Sequence, residues 1–91
     1  MLKFEGIAEV GDYIRGYDFK PFKGRGDCFI EGEVLAITEE YGYKAFKVAI
    51  KRAMFDDKIL PKEELQKFGF IPMQTSFGEF DGRVMNLSRS L

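Results

Sequence analysis

The sequence predicts a mostly β fold: a small five-stranded, partly open, SH3-like barrel with one short helix. Ten glycines and three prolines divide the 91 residues into short pieces, as a domain with many strands and turns requires. Apolar and polar residues alternate along the longer pieces, which is the pattern of a strand with one buried face. Ten phenylalanines within a hydrophobic fraction of 45% supply the apolar area of one core. Residues 1–91 are therefore expected to form a single domain.

The first two strands are predicted on either side of a polar loop. Residues 12–19 form an aromatic-rich strand, and residues 20–27 form a loop in which Pro21 fixes one backbone angle. Residues 28–38 form the second strand, with apolar residues on both faces only after Gly32. The strand is therefore expected to bend at Gly32 and pass from one sheet to another. One of its faces should carry Ile30, Gly32, Val34 and Ala36.

Residues 43–55 follow a predicted hairpin turn at residues 39–42 and are compatible with two structures. As a strand, the segment places Phe46, Val48 and Ile50 inward and the lysines outward. As a helix, it also presents an apolar stripe, so the helix stays open as an alternative to the favoured strand.

The short helix is predicted after Pro61, and two strands are expected to close the barrel. Pro61 suits a first helical turn, Glu63 and Glu64 suit the positive end of a helix, and Gly69 suits a cap. Leu65 and Phe68 would anchor this helix. The closing strands are expected at residues 70–73 and 83–87, joined by a turn-rich loop at 77–82.

Composition limits the chemistry of this chain. There is no histidine and only one cysteine, so Cys–His or Ser–His catalysis, His/Cys zinc sites and an intrachain disulfide are excluded. Adjacent acids at 39–40, 56–57 and 63–64 point in different directions and do not chelate as pairs. No enzyme activity, cofactor or metal is therefore expected, and Cys28 is expected to be a small core residue.

Charge and hydropathy limit the compartment and the partners. The net charge of -1 disfavours nucleic acid, because such binders usually carry a basic excess. Residues 1–6 lack the apolar run of a signal peptide, and no stretch reaches the ~20 apolar residues of a membrane span. The expected location is the cytoplasm.

Two groups of residues are candidate binding sites. Aromatic and cationic residues interleave between residues 13 and 29, and such residues dominate protein interfaces; the predicted partner-binding residues are Tyr13, Arg15, Tyr17, Phe22 and Arg25. The alternative is a nucleic-acid patch of Lys20, Lys23, Lys44, Lys47, Lys51 and Arg52. On a regular strand, Lys47 and Lys51 share a face and Arg52 lies opposite. Glu31 and Glu33 are the expected cross-strand partners of these bases.

Several short runs of residues together form a recognisable pattern: Gly11-Asp12-Tyr13-Ile14-Arg15, Asp18-Phe19, Arg25-x-Asp27-Cys28-Phe29-Ile30-Glu31-Gly32-x-Val34, Phe46-x-Val48-x-Ile50, Ile71-Pro72 and Asp81-Gly82-Arg83-Val84. In this pattern the sequence resembles small β-barrel proteins encoded in bacteriophage genomes. The resemblance spans most of the chain but leaves out the tail from Ser88. It implies a small barrel and a viral source, and therefore the cytoplasm of the host, but it carries over no catalytic residue.

Three functions follow as hypotheses. The first is a binding module of the phage accessory type that docks on a host or viral protein and modulates it. The second is a nucleic-acid-binding accessory protein. The third is an oligomeric protein that sequesters a small molecule in a pocket between subunits, so a homo-oligomer stays open.

Overall fold

The computed structural model describes residues 2–3, 6–17, 26, 28–40, 43–75 and 83–88. These residues form eight strands and one turn of 3₁₀ helix at Lys62–Glu64. The strands are β1 (Leu2–Lys3), β2 (Tyr13–Tyr17), β3 (Phe29–Glu40), β4 (Tyr43–Phe55), β5 (Lys58–Ile59), β6 (Phe68–Pro72), β7 (Gln74–Thr75) and β8 (Val84–Asn86). The predicted loops at 20–27 and 77–82 lie outside the described residues, apart from Gly26.

The main sheet is antiparallel and curls into an open half-barrel. Five strands lie side by side in the order β5-β4-β3-β2-β8, and β6 also pairs with β4. One edge of β4 pairs with β3. The other edge pairs with β5 at residues 54–55 and with β6 at residues 45–49. Strands β1 and β7 form a separate two-stranded sheet. The prediction of a mostly β, partly open five-stranded barrel is therefore confirmed.

The long hairpin of β3 and β4 forms the centre of the main sheet. It pairs from Glu40↔Tyr43 to Phe29↔Met54, so residues 43–55 form a strand and the helical alternative is wrong. The alternation explains this outcome, because Phe46 and Val48 are both fully buried on the inner face. Glu39 and Glu40, which were expected in the turn at 39–42, extend β3 instead, and residues 41 and 42 lie outside the described part of the chain.

Two register shifts interrupt this hairpin. Between the pairs Glu31↔Arg52 and Gly32↔Ile50, strand β4 has one extra residue, Lys51. Between Val34↔Val48 and Ala36↔Lys47, strand β3 has one extra residue. Such bulges bend a strand and increase its twist. The bulge beside Gly32 coincides with the predicted bend, but β3 stays in the main sheet and does not cross to another.

The second bulge corrects one face assignment. Ala36 pairs with Lys47, whereas Val34 pairs with Val48. Lys47 and Val48 are neighbours on one strand and therefore point to opposite sides. Ala36 thus lies on the outer face, and not with Ile30, Gly32 and Val34 as expected from simple alternation.

The core fills the concave face of the sheet. The largest fully buried side chains there are Phe46, Ile14, Val34, Val48 and Val84. Gly32 is required on this face, because a Cβ at this position would overlap the carbonyl oxygen of Ala49.

The predicted helix shortens to one turn. Lys62–Glu64 forms a 3₁₀ helix with Pro61 as its N-cap, and Leu65 is already extended. Phe68 and Gly69, expected as anchor and cap, belong instead to β6. Gly69 is needed there for packing, since a Cβ would lie 2.8 Å from the Ile50 side chain. Pairing of β6 with β4 therefore prevails over the local helix-forming pattern.

Candidate functional site

Three of the predicted partner-binding residues lie together on the outer face of the sheet. Tyr13, Arg15 and Tyr17 alternate along β2 with the buried Ile14 and Gly16. Tyr13, Arg15 and Tyr17 are half-buried, and their side chains lie on one side of the strand. The other predicted residues, Phe22 and Arg25, lie outside the described residues, as do Lys20 and Lys23 of the alternative patch.

A buried carboxylate lies at the centre of this face and binds two arginines. Glu31 on β3 accepts a hydrogen bond from Arg15 Nε at 2.6 Å and another from Arg52 Nη1 at 3.3 Å. The side chain of Glu31 is only 4% exposed, whereas those of Arg15 and Arg52 are 24% and 46% exposed. The register explains the contact, because Arg15, Glu31 and Arg52 are direct neighbours across three strands.

The two guanidinium groups pack against the aromatic ring of Phe29. The Cζ atoms of Arg15 and Arg52 lie 4.6 Å and 5.6 Å from its ring centroid. Tyr17 meets the same ring edge-on, with centroids 5.4 Å apart. A guanidinium over an aromatic face is electrostatically favourable. We call Tyr13, Arg15, Tyr17, Phe29, Glu31 and Arg52 the outer-face cluster.

The protonation of the outer-face cluster follows from its surroundings. Burial is the main reason that the pKa of the Tyr13 phenol lies above its ordinary value, and the nearby Glu31 carboxylate adds to it. Burial alone would lower the pKa of Arg15, but its hydrogen bonds to Glu31 and Tyr17 prevail and raise the pKa above the ordinary value. At neutral pH the cluster therefore holds a neutral phenol and a charged guanidinium.

The described bases of the alternative patch are spread along β4. Lys44 lies opposite Glu39 near one end of the strand. The Nζ atom of Lys47 lies 4.8 Å from the ring centroid of Phe68. The bulge at Lys51 places Arg52 on the outer face with Lys47, so the expected placement of Arg52 on the opposite face is wrong. The expected cross-strand contact of Arg52 with Glu31 is confirmed.

Two phenylalanines of β6 extend the apolar part of the outer face. Phe68 and Phe70 are 42% and 59% exposed. They pair with Ala49 and Lys47 on β4, and Ala49 in turn pairs with Glu33 beside Tyr13. The apolar surface of β6 thus lies on the same face of the sheet as the outer-face cluster, beside β4, the strand that carries Arg52.

A cleft of about 690 Å³ opens beside this cluster. It lies where the edge of β4 is covered neither by β5 nor by β6, under the segment 60–67, which we call the strap. Its apolar lining consists of Ile50, Ile59, Leu60 and Leu65. Its polar lining consists of Tyr13, Lys51, Arg52, Lys62, Gln66 and Lys67.

Sequence reasoning did not find this cleft. The sequence pattern predicted only a helix anchor at Leu65. The available indication was the pair of lysines that flank Leu65 within a segment bounded by Pro61 and Gly69. That indication points to a cleft only when β5 and β6 are known to share one edge.

The remaining expectations concern Cys28, metals and membranes. Cys28 is buried, and its Sγ accepts a hydrogen bond from the Asp56 backbone N–H at 3.5 Å, so its predicted place in the interior is confirmed. Among the described residues, no group of three acidic, cysteine or histidine side chains is placed to hold a metal ion. Within the same part of the chain, no helix is long and apolar enough to cross a membrane.

No protein-family model, curated protein or solved structure matches this chain. The resemblance to bacteriophage proteins and the SH3-like comparison therefore stay predictions.

Proposed function

We propose that the chain is a non-enzymatic binding module, an accessory protein of the bacteriophage type that docks on a host or viral protein through the outer-face cluster. The observation that carries this proposal is the stack of Arg15 on Phe29, held by the buried Glu31. A guanidinium fixed in one position loses little side-chain entropy when a partner binds, and preorganisation of this kind favours affinity.

The chemistry of the cluster also indicates the kind of partner. Two arginines share the single carboxylate of Glu31, which leaves one positive charge in excess. Each guanidinium has five N–H donors, so Arg52 keeps donors for a partner. The adjoining Tyr13 and Tyr17 offer apolar ring surface with a polar tip. A protein segment that carries carboxylates beside apolar side chains fits this surface best.

Alanine variants of the outer-face cluster test the proposal. A tagged chain is used to capture partners from cells, and each captured protein is then purified and titrated against the variants. Tyr17→Ala and Arg15→Ala are each expected to weaken the binding of the true partner by about 30-fold, since interface hot spots contribute about 2 kcal/mol or more to the binding free energy.

The matched controls are Lys44→Ala and Lys58→Ala, which remove exposed side chains away from the cluster. They should bind like the unmodified chain. Far-UV circular dichroism of each variant separates lost binding from lost folding. If every captured protein bound Tyr17→Ala and Arg15→Ala as tightly as the controls, the outer-face cluster would not be the docking surface.

One observation favours the nucleic-acid alternative. The bulge at Lys51 brings Arg52 to the face of Lys47, whereas regular alternation would place it on the opposite face. Glu31 and Glu33 on the neighbouring strand reduce the positive potential of this face, which is why we place this function second. Binding to labelled single- and double-stranded DNA should then weaken steeply with salt, and the absence of binding at low salt would exclude it.

A further inference from the structure

We propose that the cleft under the strap binds a small amphiphilic anion, a molecule with an aliphatic body and one carboxylate or phosphate group. This inference does not depend on the protein partner proposed above, because the cleft shares only Tyr13 and Arg52 with the outer-face cluster and its other lining residues lie outside that cluster.

The cleft is preformed because the strap is fixed at both of its ends. The Leu60 N–H donates to the Ala53 carbonyl at 2.9 Å, and the Ile50 N–H donates to the Lys67 carbonyl at 3.2 Å. Between these two bonds the strap contributes Lys62, Leu65 and Gln66 to the lining of the cleft. A largely preformed concave space with an apolar lining is the usual form of a small-molecule site.

The walls of the cleft are suited to an aliphatic body. Ile50, Ile59, Leu60 and Leu65 are all branched aliphatic side chains, and none of them can donate or accept a hydrogen bond. A nucleobase needs matched donors and acceptors at its edges. Among the described residues that line the cleft, neutral polar side chains come only from Tyr13 and Gln66, so a nucleoside fits less well than an alkyl chain.

The rim of the cleft is suited to an anionic group. Four cations, Lys51, Arg52, Lys62 and Lys67, line a single cleft in a chain with 14 basic and 15 acidic residues. Arg52 is already paired with Glu31, whereas Lys51, Lys62 and Lys67 have no carboxylate opposite them among the described residues that line the cleft. Concentrated positive charge beside low-dielectric walls raises the local potential for an anion.

The charge requirement is tested first with a set of eight-carbon probes. Octanoate and octyl phosphate are titrated into the nitrogen-15-labelled chain, with 1-octanol and octyltrimethylammonium as neutral and cationic counterparts. Either anion should shift the amide signals of residues 50–52 and 59–67 in a saturable way. We expect 1-octanol to bind about tenfold more weakly, since each exposed charge contact contributes up to ~1 kcal/mol. Equal binding of all four probes, or no binding of either anion, would overturn the proposal.

The comparison of the two anions also identifies the preferred head group. Within the carboxylate series, lengthening the chain from hexanoate to octanoate should tighten binding roughly tenfold, because each buried methylene contributes about 0.8 kcal/mol. Affinity independent of chain length would show that the aliphatic wall is not used, which contradicts the proposal.

Charge variants test the location of the site. Lys51→Glu/Lys62→Glu should weaken octanoate binding at least tenfold, whereas the control Lys44→Glu/Lys58→Glu, with the same net charge, should bind within twofold of the unmodified chain. If the first variant does not fold, Lys62→Gln alone should weaken binding about threefold. Equal loss in both double variants would overturn the assignment to this cleft. Tyr17→Ala should keep octanoate binding, which separates this site from the protein-docking surface.

Discussion

Substitution of Glu31 by glutamine tests how the outer-face cluster is held together. Glutamine is nearly the same shape and keeps one acceptor oxygen, but it removes the negative charge that Arg15 and Arg52 share. Arg15 then keeps its partly buried guanidinium without a counter-charge. The expected result is a folded protein with a lower free energy of unfolding.

The magnitude follows from the two contacts. A hydrogen bond to a charged group contributes about 1.5–3 kcal/mol, and a neutral one about 0.5–1.5 kcal/mol, so the 2.6 Å contact with Arg15 loses about 1–1.5 kcal/mol. The contact with Arg52 is longer and nearly half exposed, so solvent screening limits its loss to about 0.5 kcal/mol. We expect a total of about 1–2 kcal/mol, below the 3–5 kcal/mol that breaking a fully buried pair costs.

Urea unfolding followed by circular dichroism measures this loss. With a slope near 1–1.5 kcal/mol per molar for a domain of this size, the midpoint should fall by about 1 M. Glu33→Gln is the matched control, because Glu33 is exposed on the same face two residues away, and surface changes usually stay within about 0.5 kcal/mol. Equal midpoints for Glu31→Gln and Glu33→Gln would refute the role assigned to Glu31.

Three further predictions concern the core and the alkaline range. Gly32→Ala should destabilise the fold by about 3 kcal/mol or more, since its Cβ would meet the carbonyl of Ala49, whereas Gly16→Ala meets only a side chain and should cost less by the same urea assay. Phe46→Ala should lower the free energy of unfolding by about 3–5 kcal/mol, and a loss under 1 kcal/mol would contradict its place in the core. Because the pKa of Tyr13 is raised by folding, its contribution to stability is complete below the ordinary tyrosine pKa and disappears as the pH rises through the folded value. An ultraviolet titration should therefore lose, in Tyr13→Phe, a tyrosinate component that titrates above the ordinary tyrosine pKa, and unchanged curves would count against the raised pKa of Tyr13.

Long, regular alternation made β4 the most predictable element. Phe46, Val48 and Ile50 repeat at every second position, and the predicted bounds of residues 43–55 match Tyr43–Phe55. If the same segment formed a helix, Phe46 and Ile50 would share its apolar stripe but Val48 would lie outside it and be exposed. The residues of β4 that point to the inner face could therefore be predicted from the sequence, because side chains of a strand alternate between its two faces with a period of two residues.

The bulges could not be predicted in the same way. A bulge adds one residue to one strand, and its position depends on how the partner strand packs. Simple alternation therefore put Arg52 on the wrong face and Ala36 on the inner one. The short helix was over-extended for a related reason, since pairing of β6 with β4 is a long-range interaction that the local pattern of Pro61 and Glu63 does not contain.

One bulge at Lys51 accounts for both proposed sites. By adding a residue to β4, it rotates Arg52 outward onto Phe29 and Glu31, which completes the outer-face cluster. It also falls on the part of the β4 edge that lies between β5 and β6, where the cleft opens. A regular strand would instead turn Arg52 toward the core, where an arginine would be costly without a partner. The same irregularity therefore shapes both of the surfaces on which the two proposals rest.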